Sequence, residues 1–206
     1  MFGFSKEQLP IIWVNLIALI AFITLFLWQG NYEFIIYILV ILFFAALIII
    51  SHKQVHYTNF LLWGLTIWSI LHMAGGGVII NGHVLYAQML WSIIGEPYLI
   101  FKYDQLIHAY GFFIATLLVY HVLKPHLNKQ PGWFAISFVV IMAGLGLGAL
   151  NEIFEFIPTI LFENTNVGGY VNTALDLVFD LIGGLLAMIW IRYKGKEKPQ
   201  GYIELE

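Results

Sequence analysis

Cysteine is absent from this chain of 206 residues, which excludes disulfides, thiolate metal ligation and cysteine nucleophiles. Charge is nearly absent as well. Only 10% of the residues are Asp, Glu, Lys or Arg, against about one quarter in soluble domains, while 61% are hydrophobic. With a mean hydropathy of +0.86, the composition is that of an integral membrane protein. Basic residues are too few for a nucleic-acid surface, since there are nine in all.

What is present is a series of long apolar runs. A helical span takes about 20 mostly apolar residues to cross about 30 Å of hydrocarbon. Six stretches meet or approach that: roughly 10–28, 34–50, 57–74, 104–123, 133–156 and 171–191. Breakers and polar residues separate them at Gly30 and Asn31, Ser51 to Lys53, Gly75 to Gly77, Pro125 to Gly132, and Asn164 to Gly169. The first run is too long for the hydrophobic region of a signal peptide, has no small-residue cleavage site after it, and reads as a retained helix. The segment 78–101 is apolar but broken by Asn81, Gly82, His83, Gly95, Glu96 and Pro97, so it reads as an interfacial helix or re-entrant element rather than a seventh span. The fold expected is an all-α polytopic bundle of six transmembrane helices, forming one integral membrane domain over 1–206.

Basic residues favour the cytoplasmic side of short loops. With six spans and the N-terminus inside, Lys6, Lys53, Lys124, Lys129, Arg192, Lys194, Lys196 and Lys198 are cytoplasmic and only Lys102 is outside. Seven spans would spoil that bias. Both termini are therefore expected in the cytoplasm, and the setting is a bacterial or archaeal inner membrane.

This topology places seven ionisable side chains in the outer half of the bilayer. His72 ends the third helix, Asp104 and His108 lie four residues apart at the start of the fourth, and Glu152 and Glu155 end the fifth. On the sixth, Asn172, Asp176 and Asp180 recur every four residues as one polar stripe. Taken singly, Asp104 and Asn172 also suit helix N-caps, and Glu155 an interfacial position. His83 and His121 suit hydrogen-bonded packing, and His52, His56 and His126 fall in cytoplasmic loops with no comparable polar group on that half. Gly144, Gly146 and Gly148 read as close helix packing, within the bundle or between protomers of a homo-oligomer.

As a set, five carboxylates share one region with no Lys or Arg inside those four helices. Like charges that close cannot all stay ionised, so they bind protons or a cation neutralises them. A cation is the more economical answer. His72, Asp104, His108, Glu152, Asp176 and Asp180 are the expected ligands of a divalent ion, and histidine with carboxylate suits zinc, iron or manganese. Glu155 or Glu152 would remain as general base. That chemistry is a metal-dependent hydrolase or transferase acting on a membrane lipid or lipid-linked substrate. The alternative is a proton or cation relay, or an accessory subunit of a larger membrane complex. A haem held by His72 and His108 would not need five carboxylates.

These residues carry a family likeness. His72-Met-Ala-Gly75-Gly76, Tyr86-Ala87, Tyr103-Asp104 with His108 and Gly111, Asn151-Glu152-Ile-Phe-Glu155, and Asn172, Asp176, Asp180 with Gly183 resemble the YjdF-type family of small bacterial inner-membrane proteins. More distantly, their order is similar to that in VanZ-like proteins. The likeness covers about Leu71 to Gly184 and implies the polar site without supplying a reaction. The chain departs from the pattern at Lys102, where the family has arginine, and at Asn172, where it has an acid.

A reporter fused to the C-terminus is expected to read cytoplasmic; an extracytoplasmic signal would overturn both the orientation and the shared leaflet of the acidic groups.

Overall fold

The computed structural model describes residues 3–127, 132–163 and 165–196; Lys129, Asn164 and Lys198 lie outside them, as does the side chain of Lys196. Six helices are long and apolar enough to cross a membrane. They are α1 (Leu9–Gln29), α2 (Tyr32–Val55), α3 (Asn59–Gly77), α4 (Tyr103–Leu123), α5 (Trp133–Leu161) and α6 (Tyr170–Lys196).

The ends differ from the sequence boundaries for local reasons. Asn31 caps α2, its side chain accepting from the Phe34 amide at 3.2 Å, so the helix begins two residues earlier and takes in Glu33. Thr58 caps α3 in the same way through Leu61, leaving Tyr57 outside. Helix α5 runs on through Pro158, whose carbonyl accepts from Phe162 at 2.9 Å in the last turn. At α4 the cap position is Lys102, and the Gln105 side chain accepts from the Lys102 amide at 3.0 Å. Asp104 and Asn172 therefore lie inside their helices and cap neither.

Between α3 and α4 there is no spanning helix, and apart from a 3-10 turn at Leu85–Ala87 the segment is extended rather than helical. It forms two antiparallel hairpins, β1 (Ile79–Ile80) with β2 (His83–Val84), and β3 (Met89–Ile94) with β4 (Ile100–Lys102). The first turns on Asn81 and Gly82, both at positive φ (52° and 81°). An Asn-Gly pair between apolar residues is the strongest short-range hairpin signal, and it outweighs apolarity here.

Helices α4 and α6 form the centre of the bundle, and α1 and α2 lie at its periphery with much of their surface toward lipid. Gly183 allows the central contact: a Cβ there would run into the Ala109 carbonyl and lie 2.8 Å from the Phe113 amide nitrogen. Toward the inner end, Leu61, Ile114, Leu117, Val140, Ala187 and Ile191 make an apolar core; toward the outer end Phe26, Phe34, Tyr37 and Met73 make a second.

The inner end carries a small polar contact, and one expected loop residue there is helical. His52 occupies the last turn of α2 rather than a loop and is buried, stacked on Phe4 at 4.2 Å. Its Nε2 is 3.1 Å from Gln8 Oε1, while Gln8 Nε2 donates to the Tyr57 carbonyl at 3.1 Å. His121 is a packing residue, its Nε2 3.2 Å from the Val55 carbonyl.

Gly183→Ala is expected to destabilise the protein by about 1–3 kcal/mol, because backbone is what the new methyl meets. Gly146→Ala is expected to be neutral, since nothing lies within 4 Å of its Cβ position. Thermal unfolding of the two variants in detergent checks the contrast.

Candidate metal centre

Asp176 and Asp180 face inward from α6 and are almost fully buried, at 0% and 1% exposure. Their four-residue step puts them on the face that packs against α4, where His108 is also buried. His108 Nδ1 lies 2.9 Å from Asp180 Oδ1. An ionised carboxylate can only accept, so Nδ1 carries the proton of this bond, and in the neutral imidazole Nε2 is the nitrogen that holds the lone pair. That second nitrogen is 3.8 Å from Asp104 Oδ1 and 4.0 Å from Glu152 Oε1.

Two groups of ligand atoms therefore meet at His108. Asp104, His108 and Asp176 can each present an atom within 4.8 Å of the others, and so can His108, Glu152 and Glu155. Asp180 approaches the ring from the opposite side, behind the nitrogen that faces those carboxylates. His72 is in neither group. It lies in an adjoining chamber with Asp104 and Glu155, its Nδ1 hydrogen-bonded to the Tyr86 hydroxyl. Burial first, and then the Asp104 charge, hold that hydroxyl well above its ordinary pKa, so Tyr86 is kept as the neutral phenol.

The glycines around His72 make room for the rings that brace it. A Cβ at Gly75 would strike the Tyr86 ring, one at Gly76 the Phe34 ring, and one at Gly111 the indole of Trp68. Trp68 stacks on His72 at 5.2 Å. Gly148 on α5 does the same for the acid behind His108, because a Cβ there would occupy the position of the Asp180 carboxylate.

Among the described carboxylates, polar satisfaction is incomplete only at this centre. Glu152 Oε1, Asp176 Oδ1 and Asp180 Oδ2 are buried acceptors with no hydrogen-bond partner among the described residues. A buried polar group left unpaired costs about 1–3 kcal/mol, more if charged. Three other oxygens of the cluster are held by amides. Asn172 Nδ2 donates to Asp104 Oδ2 at 3.1 Å and to Asp176 Oδ2 at 2.5 Å, and Asn151 donates to Glu155 Oε1 at 2.8 Å.

Sequence reasoning missed three contributors. Lys102, outside α4 by one residue, reaches Asn172 Oδ1 with Nζ at 3.1 Å, so positive charge touches the edge of the cluster without pairing a carboxylate. Tyr86 was visible only as part of a motif. Glu33 is buried, and its Oε2 accepts from the Asn166 amide at 2.9 Å and the Asn166 side chain at 3.0 Å. Its signal was a lone acid two residues after a capping asparagine.

Residues 10–197 match the family described as a predicted membrane protein, DUF2238. The chain belongs to this family. It is the YjdF-type family that the motifs resemble, and the match extends to α1 and α2, where sequence likeness rested on apolarity alone. An uncharacterised protein from Thermotoga maritima is 36% identical over 88 residues, which is 41% of this chain. The match spans 44% of that relative's length. No solved structure matches significantly.

Replacing Tyr86 by Phe keeps the ring over Gly75 but orphans a buried His72 nitrogen. The expected loss is about 1–3 kcal/mol of stability with the His108 group intact; a variant as heat-resistant as the parent would show that the bond contributes nothing net.

Proposed function

We propose that this DUF2238 protein holds a divalent metal ion at His108 in the outer half of the membrane and uses it to act on a lipid or lipid-linked substrate. The observation that carries the reading is the arrangement around one imidazole. A metal-ligating histidine typically donates its other ring N–H to a carboxylate, which fixes the tautomer and raises ligand basicity. His108 has that bond to Asp180, and its free nitrogen faces Asp104 and Glu152. In this reading Asp180 orients rather than ligates, and His108, Asp104, Asp176 and Glu152 are the ligands. The unpartnered oxygens of Glu152 and Asp176 fit the same requirement. Nitrogen with several carboxylates suits zinc, iron or manganese.

A bound divalent ion supplies Lewis-acid chemistry, polarising an oxygen of substrate or water. The protein's own groups supply the rest. Asn172 holds Asp104 and Asp176 in place, and the tight α4–α6 contact keeps His108 between them. Glu155 lines the chamber with one oxygen held by Asn151, and stands where a general base would accept a proton from the incoming nucleophile. His72 and Tyr86 present a second polar pair on the chamber wall, suited to orienting a substrate oxygen.

A relay through the membrane has less support. Below Asp180 lies the apolar core of Leu117, Val140, Ala187 and Ile191, with isolated buried hydroxyls on Thr116, Ser137 and Tyr57. His121, deeper still, is bonded to backbone.

Metal analysis of the purified, tag-free protein by mass spectrometry is expected to find one or two equivalents of a divalent ion. His108→Ala should abolish binding. Asp180→Asn should weaken it about 10–100-fold, the usual effect of losing such an orienting partner. Glu155→Gln should keep the ion and stop turnover, and His121→Ala should do neither. Equal loss in all four variants would indicate unfolding instead, and full metal content in His108→Ala would refute the ligand assignment.

A further inference from the structure

We infer that divalent cations reach the His108 centre from the outer aqueous face through a vestibule whose neck is formed by Glu33 and Asn166. This rests on the metal-binding reading and adds a route to it. At the outer ends of α1 and α2, a cavity of about 610 Å³ is walled by the Trp28–Glu33 turn, Ile79 and Val84 of the first hairpin, Phe162 and Asn166. Behind it lies the chamber of about 30 Å³ that contains His72, Asp104, Glu155 and Asn172. Room of that size accommodates roughly one or two waters or a partly hydrated ion. Glu33 and Asn166 belong to both walls. Between outer solvent and inner chamber, the Glu33 carboxylate closes on the backbone and side-chain amides of Asn166.

The lining has one sign of charge. Neither cavity is lined by Lys or Arg among the described residues, and the acids follow in order: Glu33 at the neck, then Asp104 and Glu155 in the chamber. Such a path concentrates cations and repels anions. It also ends on something that needs a cation. Asn172, a chamber wall residue, holds one oxygen of Asp176, whose other oxygen is fully buried and unpartnered. Glu33 itself is 7% exposed, and its bonds to Asn166 lie across the neck. Opening the route has the Glu33 carboxylate leave the two Asn166 amides and the Tyr37 hydroxyl.

The chain has no cysteine, so one introduced thiol is unique. Ile79→Cys, on the vestibule wall, would be labelled with a bulky membrane-impermeant maleimide in nanodiscs, stripped of metal, and given Mn²⁺ alone, with uptake followed by electron paramagnetic resonance. Uptake should slow about tenfold or more at unchanged final stoichiometry, as should uptake by unlabelled Glu33→Gln, which removes the neck charge. Label on Ser92→Cys, an exposed position of the second hairpin outside both cavity linings, should change nothing. Unchanged rates in labelled Ile79→Cys overturn the route. Full-speed uptake by Glu33→Gln with lowered thermal stability makes Glu33 a strap only and overturns its role at the neck. If the unmodified protein takes up no Mn²⁺, Zn²⁺ or Fe²⁺, the metal site fails instead, before the route is at issue.

Discussion

The bond between Asp180 and His108 is the interaction on which the centre of this protein depends. It crosses the two helices that pack most closely, and it decides which nitrogen of the imidazole faces the other carboxylates. Its geometry needs two absences of side chain. Gly148 leaves space for the Asp180 carboxylate, and Gly183 lets α6 approach α4 backbone to backbone. Without that approach the acid and the ring would not meet at 2.9 Å. The small residues of α5 and α6 are thus part of the polar site, not only of helix packing. Gly144 and Gly148 face the bundle while Gly146 meets nothing, so the three expected to pack together divide between two faces.

Much of this was legible in the residues. Six spans follow from apolar length, and inward-facing Asp176 and Asp180 follow from a four-residue step on an apolar helix, because charge in hydrocarbon has to find partners. The convergence of Asp104, His108, Glu152 and Glu155 followed from topology alone, since even numbers of spans bring those helix ends to one side. What was not legible depended on distance in sequence or on small local rules. Which face of α3 His72 takes is set by Gly75, Gly76 and the returning Tyr86, none of which a periodicity specifies. Glu33 was hidden by a boundary: starting α2 at Phe34 places that acid in a loop, whereas the Asn31 cap draws it into the first helical turn, where the helix dipole favours a carboxylate. The hairpins were hidden by apolarity, which says nothing of the period.

The two positions where this chain departs from the YjdF-type pattern turn out to be one contact. Lys102 stands where the family has arginine and Asn172 where it has an acid, and the ammonium of the first lies 3.1 Å from the amide oxygen of the second. An arginine and a carboxylate there would form a bidentate pair. A lysine and an amide make a single neutral-acceptor bond, and the amide's own N–H₂ is then free to reach Asp104 and Asp176 together. The change moves hydrogen-bond donation from the rim into the cluster.

The backbone contact at Gly183 has a mechanical meaning. Two helices whose main chains touch, with a glycine against a carbonyl, cannot rotate about their axes or slide past each other without a clash of atoms that have no rotamers to change. The pair α4 and α6 is therefore the tightest seam of the bundle, and the polar cluster is built across it. Motion, if the protein works in cycles, falls to α1, α2 and the outer hairpins, which are held by side chains and by thin apolar contact. A rocking-bundle transporter would need its moving boundary to pass through the very seam that this glycine locks.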